Sequence, residues 1–352
     1  MNLMRFYFRR VLLFKIIGNG AFGSAMASAI KRSGFEYVVI DSFSGNVCLN
    51  SIEDKKQDNT YNNLNRNKKT DLELNSDNSN KDSYKDFNDY PFLIPAVPSY
   101  AVPNIVEKYS SKKDHIIFIS KGVLENGLIL GEWADKKGID WSVIAGPHFA
   151  NEIMKNLPTT SILGSEELIP EVMSFSNMGF MHSKMKKGIQ FCGAMKNIIA
   201  YGCGVVSGLG LGKNAVASFL NKGFLDLRKL LMEISEEEVI FSPAGIGDLC
   251  LTASSDSSRN FKQGFERSAS LDLNNVKSYT KTNRDIDSSS NVNASKNING
   301  QILSEAKHSA LAMYNRFGDN FVTMKFVSDV LNESLSTQEQ IKVQLFENKI
   351  FS

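Results

Sequence analysis

Three groups of residues in this chain have types and spacings that could do chemistry. The first is Gly18-Asn19-Gly20-Ala21-Phe22-Gly23, a Gly-x-Gly-x-x-Gly turn that follows the apolar run Phe14–Ile17 and opens a helical pattern. In that context Gly18 permits a tight turn, Gly20 lets a pyrophosphate approach the backbone, and Gly23 lets helix and strand pack closely. Free N–H groups at the start of the helix, with its positive dipole end, suit phosphate. The spacing alone also fits a purely structural glycine turn; the strand–turn–helix setting favours a dinucleotide. Asp41 ends the next apolar run, Tyr37-Val38-Val39-Ile40, 23 residues after Gly18. An acid there can bond ribose hydroxyls and favour NAD over NADP, the alternative being an ordinary loop acid.

The second group is a pair of lysines. Lys196 lies inside the apolar run GAMKNIIAYG. A helix with one lysine among apolar residues must let it snorkel or give it a partner. Lys121 closes the run His115–Ser120, and ligands of open α/β sheets gather at the C-terminal ends of strands. For a lone lysine, a solvated surface position is the plainer reading. The third group is polar: Asp248 after Gly245-Ile246-Gly247, and Arg259 between Ser258 and Asn260. Asp248 could equally cap a helix. The planar fork of Arg259 suits an oxyanion, unless it is a surface charge.

These residues need elements to hold them. Apolar runs predict strands at 14–17, 37–40, 92–98, 115–120 and 141–145, although Pro95 is awkward within a central strand. Helical patterns are expected at 24–33, 193–206, 213–235 and 304–317. Strands alternating with helices argue for a doubly wound parallel sheet, and the strand signal fades beyond about residue 190. The expected organisation is an α/β domain over 1–190 and a helical domain over 191–352. Two stretches rich in Asn, Asp, Lys and Ser, about 50–90 and about 268–300, bury too little to offset ordering and read as tolerated insertions. Residues before the first strand read as a short extension rather than a cleaved leader.

Composition narrows the partners. At 352 residues the chain exceeds what one core usually holds. The net charge of +2 gives no basic field, so no nucleic-acid partner is expected. Cys48, Cys192, Cys203 and Cys250 make no Cys-x-x-Cys pair and have no histidine at ligand spacing, so neither a metal site nor a disulfide framework is expected, and a reducing cytoplasm fits. No uninterrupted apolar run reaches the roughly 18–20 residues of a membrane span.

Taken in order, the glycine turn, Val97-Pro98-Ser99, Ser120-Lys121-Gly122, Ala145-Gly146-Pro147-His148-Phe149-Ala150-Asn151-Glu152, Gly193-Ala194-Met195-Lys196-Asn197, Gly245-Ile246-Gly247-Asp248-Leu249 and Ser258-Arg259-Asn260 resemble the bacterial-type NAD(P)-dependent glycerol-3-phosphate dehydrogenases. The resemblance covers most of residues 14–265 and returns near 302–331. Order and spacing carry it; no single segment would.

That resemblance implies a Rossmann-like α/β N-terminal domain, an all-α C-terminal domain and a substrate cleft between them. It implies reversible reduction of dihydroxyacetone phosphate to sn-glycerol 3-phosphate with NAD or NADP, feeding glycerophospholipid synthesis, in an enzyme that is often a homodimer. Lys196 would donate the proton. Lys121 would touch substrate and cofactor and act as the second cation that helps a catalytic lysine. Asp248 would bond the substrate region and orient Lys196, and Arg259 would hold the phosphate or the cofactor. Ser258 and Asn260 would add hydrogen bonds, Asn197 would do the same or simply cap, Gly146 and His148 would lie beside the substrate, and Ala150 would line the cofactor side with Gly18, Gly20, Ala21, Phe22, Gly23 and Asp41.

The chain departs from the family pattern in two places. His148 stands where a small hydroxyl residue is usual, and Asn299 replaces the acid of a Val-Glu-Gly segment. Two other readings compete. A ketopantoate or hydroxyacid reductase would share the glycine turn and a lysine but would not need both the Gly-Asp-Leu and Ser-Arg-Asn segments. A decayed nucleotide-binding protein would suit the insertions, but Lys121, Lys196, Asp248 and Arg259 are all retained.

Overall fold

The computed structural model describes residues 13–42, 44, 45, 47–50, 91–254, 258–271, 305–347, 350 and 351. The expected extension before residue 13, the insertion at 51–90, most of the second insertion and Asn299 lie outside the described residues. The second insertion starts later than its composition predicts. Ser268 is buried in a helix and its hydroxyl donates to the Val205 carbonyl at 2.9 Å.

A single eight-stranded sheet carries the N-terminal part. Its strands are β1 (Leu13–Ile17), β2 (Glu36–Ile40), β3 (Val47–Asn50), β4 (Phe92–Pro95), β5 (His115–Phe118), β6 (Trp141–Ala145), β7 (Thr159–Gly164) and β8 (Met178–Ser183), in the order β3-β2-β1-β4-β5-β6-β7-β8. β2, β1, β4, β5 and β6 run parallel, as the alternation of strands and helices predicts. The sheet is nevertheless mixed, because β3 joins β2 and β7 joins β6 antiparallel. β3, β7 and β8 were not legible as strands. β8 exposes much of its surface, so it lacks the continuous apolar run that marks a buried strand.

Chain order reverses between β1 and β4, which makes their C-terminal ends a topological switch point, the usual ligand crevice of an open sheet. The glycine turn sits there and leads into α1 (Ala21–Arg32), which starts three residues before the expected Ser24. Gly18 has φ +113°, and a Cβ on it would stand 2.5 Å from the Ala96 carbonyl oxygen. A Cβ on Gly23 would stand 2.0 Å from the Gly18 oxygen. Both positions therefore require glycine, which is why strand, turn and helix can pack this closely. β4 ends at Pro95 rather than running to Pro98. The missing N–H costs little there, since the ladder resumes with Ala96 donating to Ile17 at 2.8 Å.

Helices take over after β8. The central one is α6 (Lys186–Gly208), longer at both ends than the expected 193–206. By length and composition it could span a membrane, but its apolar stretch is wholly buried inside the protein. It is a core helix surrounded by others, so the periodicity that marks a one-sided surface helix is weak. Around it pack α7 (Gly212–Glu233), α8 (Asp248–Ser254), α9 (Arg259–Ala269), α10 (Glu305–Phe317) and α11 (Val322–Leu331). α9 approaches α6 backbone to backbone: a Cβ on Gly204 would meet the Phe261 oxygen at 2.0 Å, and one on Gly264 the Tyr201 oxygen at 2.0 Å. That close crossing brings the first turn of α9 alongside the middle of α6.

Candidate active site

Four separate elements converge where the C-terminal ends of β5 and β6 meet α6 and α8. Lys121 follows β5. Its stem lies against α6 at Gly193, where a Cβ would make ordinary contact with the lysine chain. Its Nζ donates to Asp248 Oδ2 at 2.7 Å and to the Gly146 carbonyl, on the loop after β6, at 3.0 Å. Lys196, one helical turn beyond Gly193, donates to Asp248 Oδ1 at 2.6 Å and to Thr252 Oγ1 at 2.9 Å. Lys196 thus takes the partner that its apolar surroundings demand instead of snorkelling. Asp248 is the first residue of α8, yet its carboxylate is given to the two lysines rather than to capping.

Two ammonium groups therefore share one carboxylate. Asp248 is 1% exposed. Burial alone would push its carboxyl up, but Lys121 and Lys196 outweigh burial and hold it below the ordinary carboxylate value. It stays ionised, with both ammonium groups on it. Such a site can stabilise a developing oxyanion and pass a proton to it.

Asparagines brace the cluster. Asn197 Nδ2 donates to the Lys121 carbonyl at 3.1 Å, and Asn260 Nδ2 donates to Asn197 Oδ1 at 2.9 Å. The α6–α9 approach makes that second bond possible. Thr252 was missed in the sequence. The available signal was its place four residues after Asp248, on the same face of a helix. Its hydroxyl also donates to the Asp248 carbonyl at 2.7 Å, which fixes it for Lys196.

His148 lies beside the cluster. Burial first, and then Lys121, pushes its imidazole down to about 3, so it is neutral at working pH. Nε2 pairs with Ser161 Oγ at 2.8 Å, while the buried Nδ1 has no partner among the described residues. Its ring stacks on Phe22 of the glycine turn, with centroids 5.9 Å apart. This contact joins the two ends of the site. Ser161 gave no sequence signal, since β7 itself was unforeseen.

The glycine turn suits a dinucleotide. A Cβ on Gly20 would meet nothing within 4 Å, unlike the crowded Gly18 and Gly23, so the open side of the turn faces away from the protein's own packing. The N-terminus of α1 has no side-chain cap and no acid in its first turn. Asp41 lies next to the turn, because Gly18 N–H bonds the Ile40 carbonyl at 2.8 Å. One oxygen of its carboxylate accepts from Ser44 N–H at 2.7 Å. Ala150 opens the short helix α4 (Ala150–Met154), which packs on α1.

The remaining expected residues sit at the start of α9. Ser258 is buried and caps the helix, accepting from Phe261 N–H at 3.3 Å, a role the sequence reading did not foresee. Arg259 is exposed, with no hydrogen bond or ion pair among the described residues.

Family models describe the same two halves. The model of the NAD-dependent glycerol-3-phosphate dehydrogenase N-terminus matches residues 14–169, and that of the C-terminus matches residues 186–342. The chain belongs to this family.

Among curated family members, a glycerol-3-phosphate dehydrogenase [NAD(P)+] of Legionella pneumophila (strain Lens) is 33% identical over 183 residues, 49% of this chain and 56% of the relative. The chain thus spans little more than half the length of that relative. The enzyme of the same name from Leptospira biflexa is 28% identical over 269 residues, 71% of this chain and 77% of the relative. Among solved structures, glycerol-3-phosphate dehydrogenase from Coxiella burnetii superposes with a TM-score of 0.71 at 21% identity, covering 96% of this chain and 99% of that one. The yeast enzyme from Saccharomyces cerevisiae gives 0.66 at 18% identity, covering 96% and 99%. These two likenesses establish the family fold, a Rossmann-like sheet followed by helices.

Proposed function

We propose that this chain reduces dihydroxyacetone phosphate to sn-glycerol 3-phosphate with NADH or NADPH, reversibly, as an NAD(P)-dependent glycerol-3-phosphate dehydrogenase. The observation that carries the reading is the buried cluster of two lysines on one aspartate at the C-terminal edge of the sheet, joined to the glycine turn through His148 and Phe22. The family membership and the names of the relatives support it.

The cofactor would lie with its pyrophosphate at Gly18–Gly23 and the α1 N-terminus, flanked by Asp41 and Ala150. When bound, its reduced nicotinamide supplies the hydride to the ketone carbon. As the carbonyl oxygen gains charge, the Lys196 ammonium donates its proton to that oxygen. Asp248 keeps the ammonium aimed, with Thr252 as a second anchor. Lys121, held on Asp248, stabilises the oxyanion. Arg259 is the fork for the substrate phosphate or the cofactor, and Ser258, Asn260, Gly146 and His148 line the substrate.

We place the chain in two domains, sheet then helices, with the cleft between them. The same reading carries a homodimer, a reducing cytoplasm and a product destined for glycerophospholipids. The free thiols of Cys192, Cys203 and Cys250 are compatible with that compartment.

The test is loss of reduced-nicotinamide absorbance with purified protein and dihydroxyacetone phosphate, measured separately with NADH and NADPH. Consumption that depends on the substrate is expected, and the ratio of the two cofactors reports on Asp41. Folded protein that binds either nucleotide yet consumes neither would favour a nucleotide-binding protein. Turnover with a ketoacid instead would favour the related reductases.

A further inference from the structure

The loop Lys121–Ile129 joins β5 to α3 (Leu130–Lys137), and helix α10 lies across it. Position by position the loop is held. The Lys121 carbonyl accepts from Asn197. The Val123 carbonyl accepts from Ser99 Oγ at 3.1 Å and from the His308 ring at Nε2 at 3.0 Å. A carbonyl can only accept, so Nε2 of His308 carries the proton in this contact. The Gly127 carbonyl accepts from Arg316 at 3.0 Å. Arg316 also grips Glu132 with both arms of its fork, at 2.7 and 2.8 Å, and Glu132 in turn accepts from Ile129 N–H at 3.1 Å.

There is no slack in this contact. A Cβ on Gly122 would stand 2.7 Å from Ser99 Oγ and 3.4 Å from Ser309 Oγ, and one on Gly127 would stand 2.7 Å from the Ala312 carbonyl. Gly122 is the next residue after Lys121. The backbone that launches the Lys121 side chain is therefore wedged between Ser99 and α10, and its Nζ must still reach both Gly146 and Asp248. Arg316 holds the far end of the loop, toward α3. His308 holds the end that bears the lysine.

We propose that His308 is a positioning residue for Lys121: by holding the Val123 carbonyl it sets where the Lys121 ammonium stands against Asp248. The inference rests on the reading of Lys121 as part of the reacting site. His308 does not touch the cluster, so its effect passes through the loop. Small displacements of a charged group at a reacting centre are costly, up to roughly a hundredfold for a misplacement of about 1 Å.

The experiment compares His308→Ala with His308→Gln, which keeps an N–H donor. With dihydroxyacetone phosphate, His308→Ala is expected to lower kcat about tenfold per folded molecule with KM for the cofactor unchanged, and His308→Gln to restore most of that loss. Two readouts need no turnover: amide hydrogen exchange over residues 122–129, and the rate at which an acylating reagent labels Lys121. Both should rise in His308→Ala and return toward wild type in His308→Gln. A lower melting temperature with unchanged kcat and unchanged Lys121 labelling would make His308 merely structural and overturn the proposal. If wild-type protein turns over no dihydroxyacetone phosphate while exchange and labelling respond as expected, the positioning role stands and the dehydrogenase reading falls. If neither exchange nor labelling changes, the positioning role falls whatever the activity.

Discussion

The protein buries lysine–aspartate contacts in two places and uses them differently. Lys15, in β1, pairs with Asp114 just before β5, and both are almost fully buried. The Asp114 carboxylate is completed by Ser111, through its N–H at 2.9 Å and its hydroxyl at 2.7 Å. One ammonium meets one carboxylate, and both oxygens of that carboxylate accept hydrogen bonds. At the opposite end of the strands, Asp248 is shared by Lys121 and Lys196. Both arrangements cost desolvation, which a buried pair recovers only with good geometry and completed hydrogen bonds. The balanced pair is a closed structural device. The shared carboxylate instead gathers two ammonium groups beside the C-terminal ends of the strands, where ligands of an open sheet bind, and that difference in sharing and place separates a site from a brace.

Lys196→Ala breaks the comparison most severely. It leaves Asp248 with Lys121 and removes the proposed proton donor. Turnover should fall by about 10³ or more, within the usual reach of a lost general acid combined with lost charge stabilisation. Cofactor affinity, followed by nicotinamide fluorescence, should stay near wild type. Retained turnover in this variant would sink the assignment of Lys196.

The matching change at the brace is Lys15→Met. It strands a buried carboxylate and should cost roughly 3–5 kcal/mol in denaturant unfolding, while kcat of the folded enzyme stays unchanged. Replacing both partners, Lys15→Met with Asp114→Leu, should recover much of that loss. An effect on kcat comparable to that of Lys196→Ala would erase the distinction drawn between the two places.

The smallest effect sharpens the comparison through His148, which is held neutral beside the two lysines. Its folded value is near 3, against an ordinary 6.5. Between these values the unfolded chain binds the extra proton and the native state does not, so stability falls as pH drops through that window. The expected slope is about 1.4 kcal/mol per pH unit. Wild type and His148→Gln, unfolded in denaturant across the window, should differ by that slope. Parallel curves would show that His148 is not held neutral.

Much of the site was legible because its chemistry is local in sequence. The turn Gly18–Gly23 reads directly, since each glycine answers to a contact within or beside one strand–helix unit. Lys196 stood out because a lone charge in an apolar helix demands a partner. The resemblance set Asp248, 52 residues away, to orient Lys196, but no local pattern showed that Lys121 shares that carboxylate or that Thr252 braces the lysine. Ser258 shows a second limit: its helix cap, accepting from Phe261 N–H, was not read from the sequence. Strands β7 and β8 escaped because a mixed, partly exposed edge of a sheet lacks the apolar runs that marked β1, β2 and β6.

By itself the sequence determined the periodicities, the glycine turn and the order of the motifs, because each depends on residues within a few positions of one another. Only the tertiary structure decided which charges meet. Whether a buried lysine is a brace or a reagent depends on how its carboxylate is shared and where in the sheet it stands. That sharing is set by where β5, α6 and α8 meet, and the loop bearing Lys121 is held by a histidine 185 residues from the carbonyl it bonds.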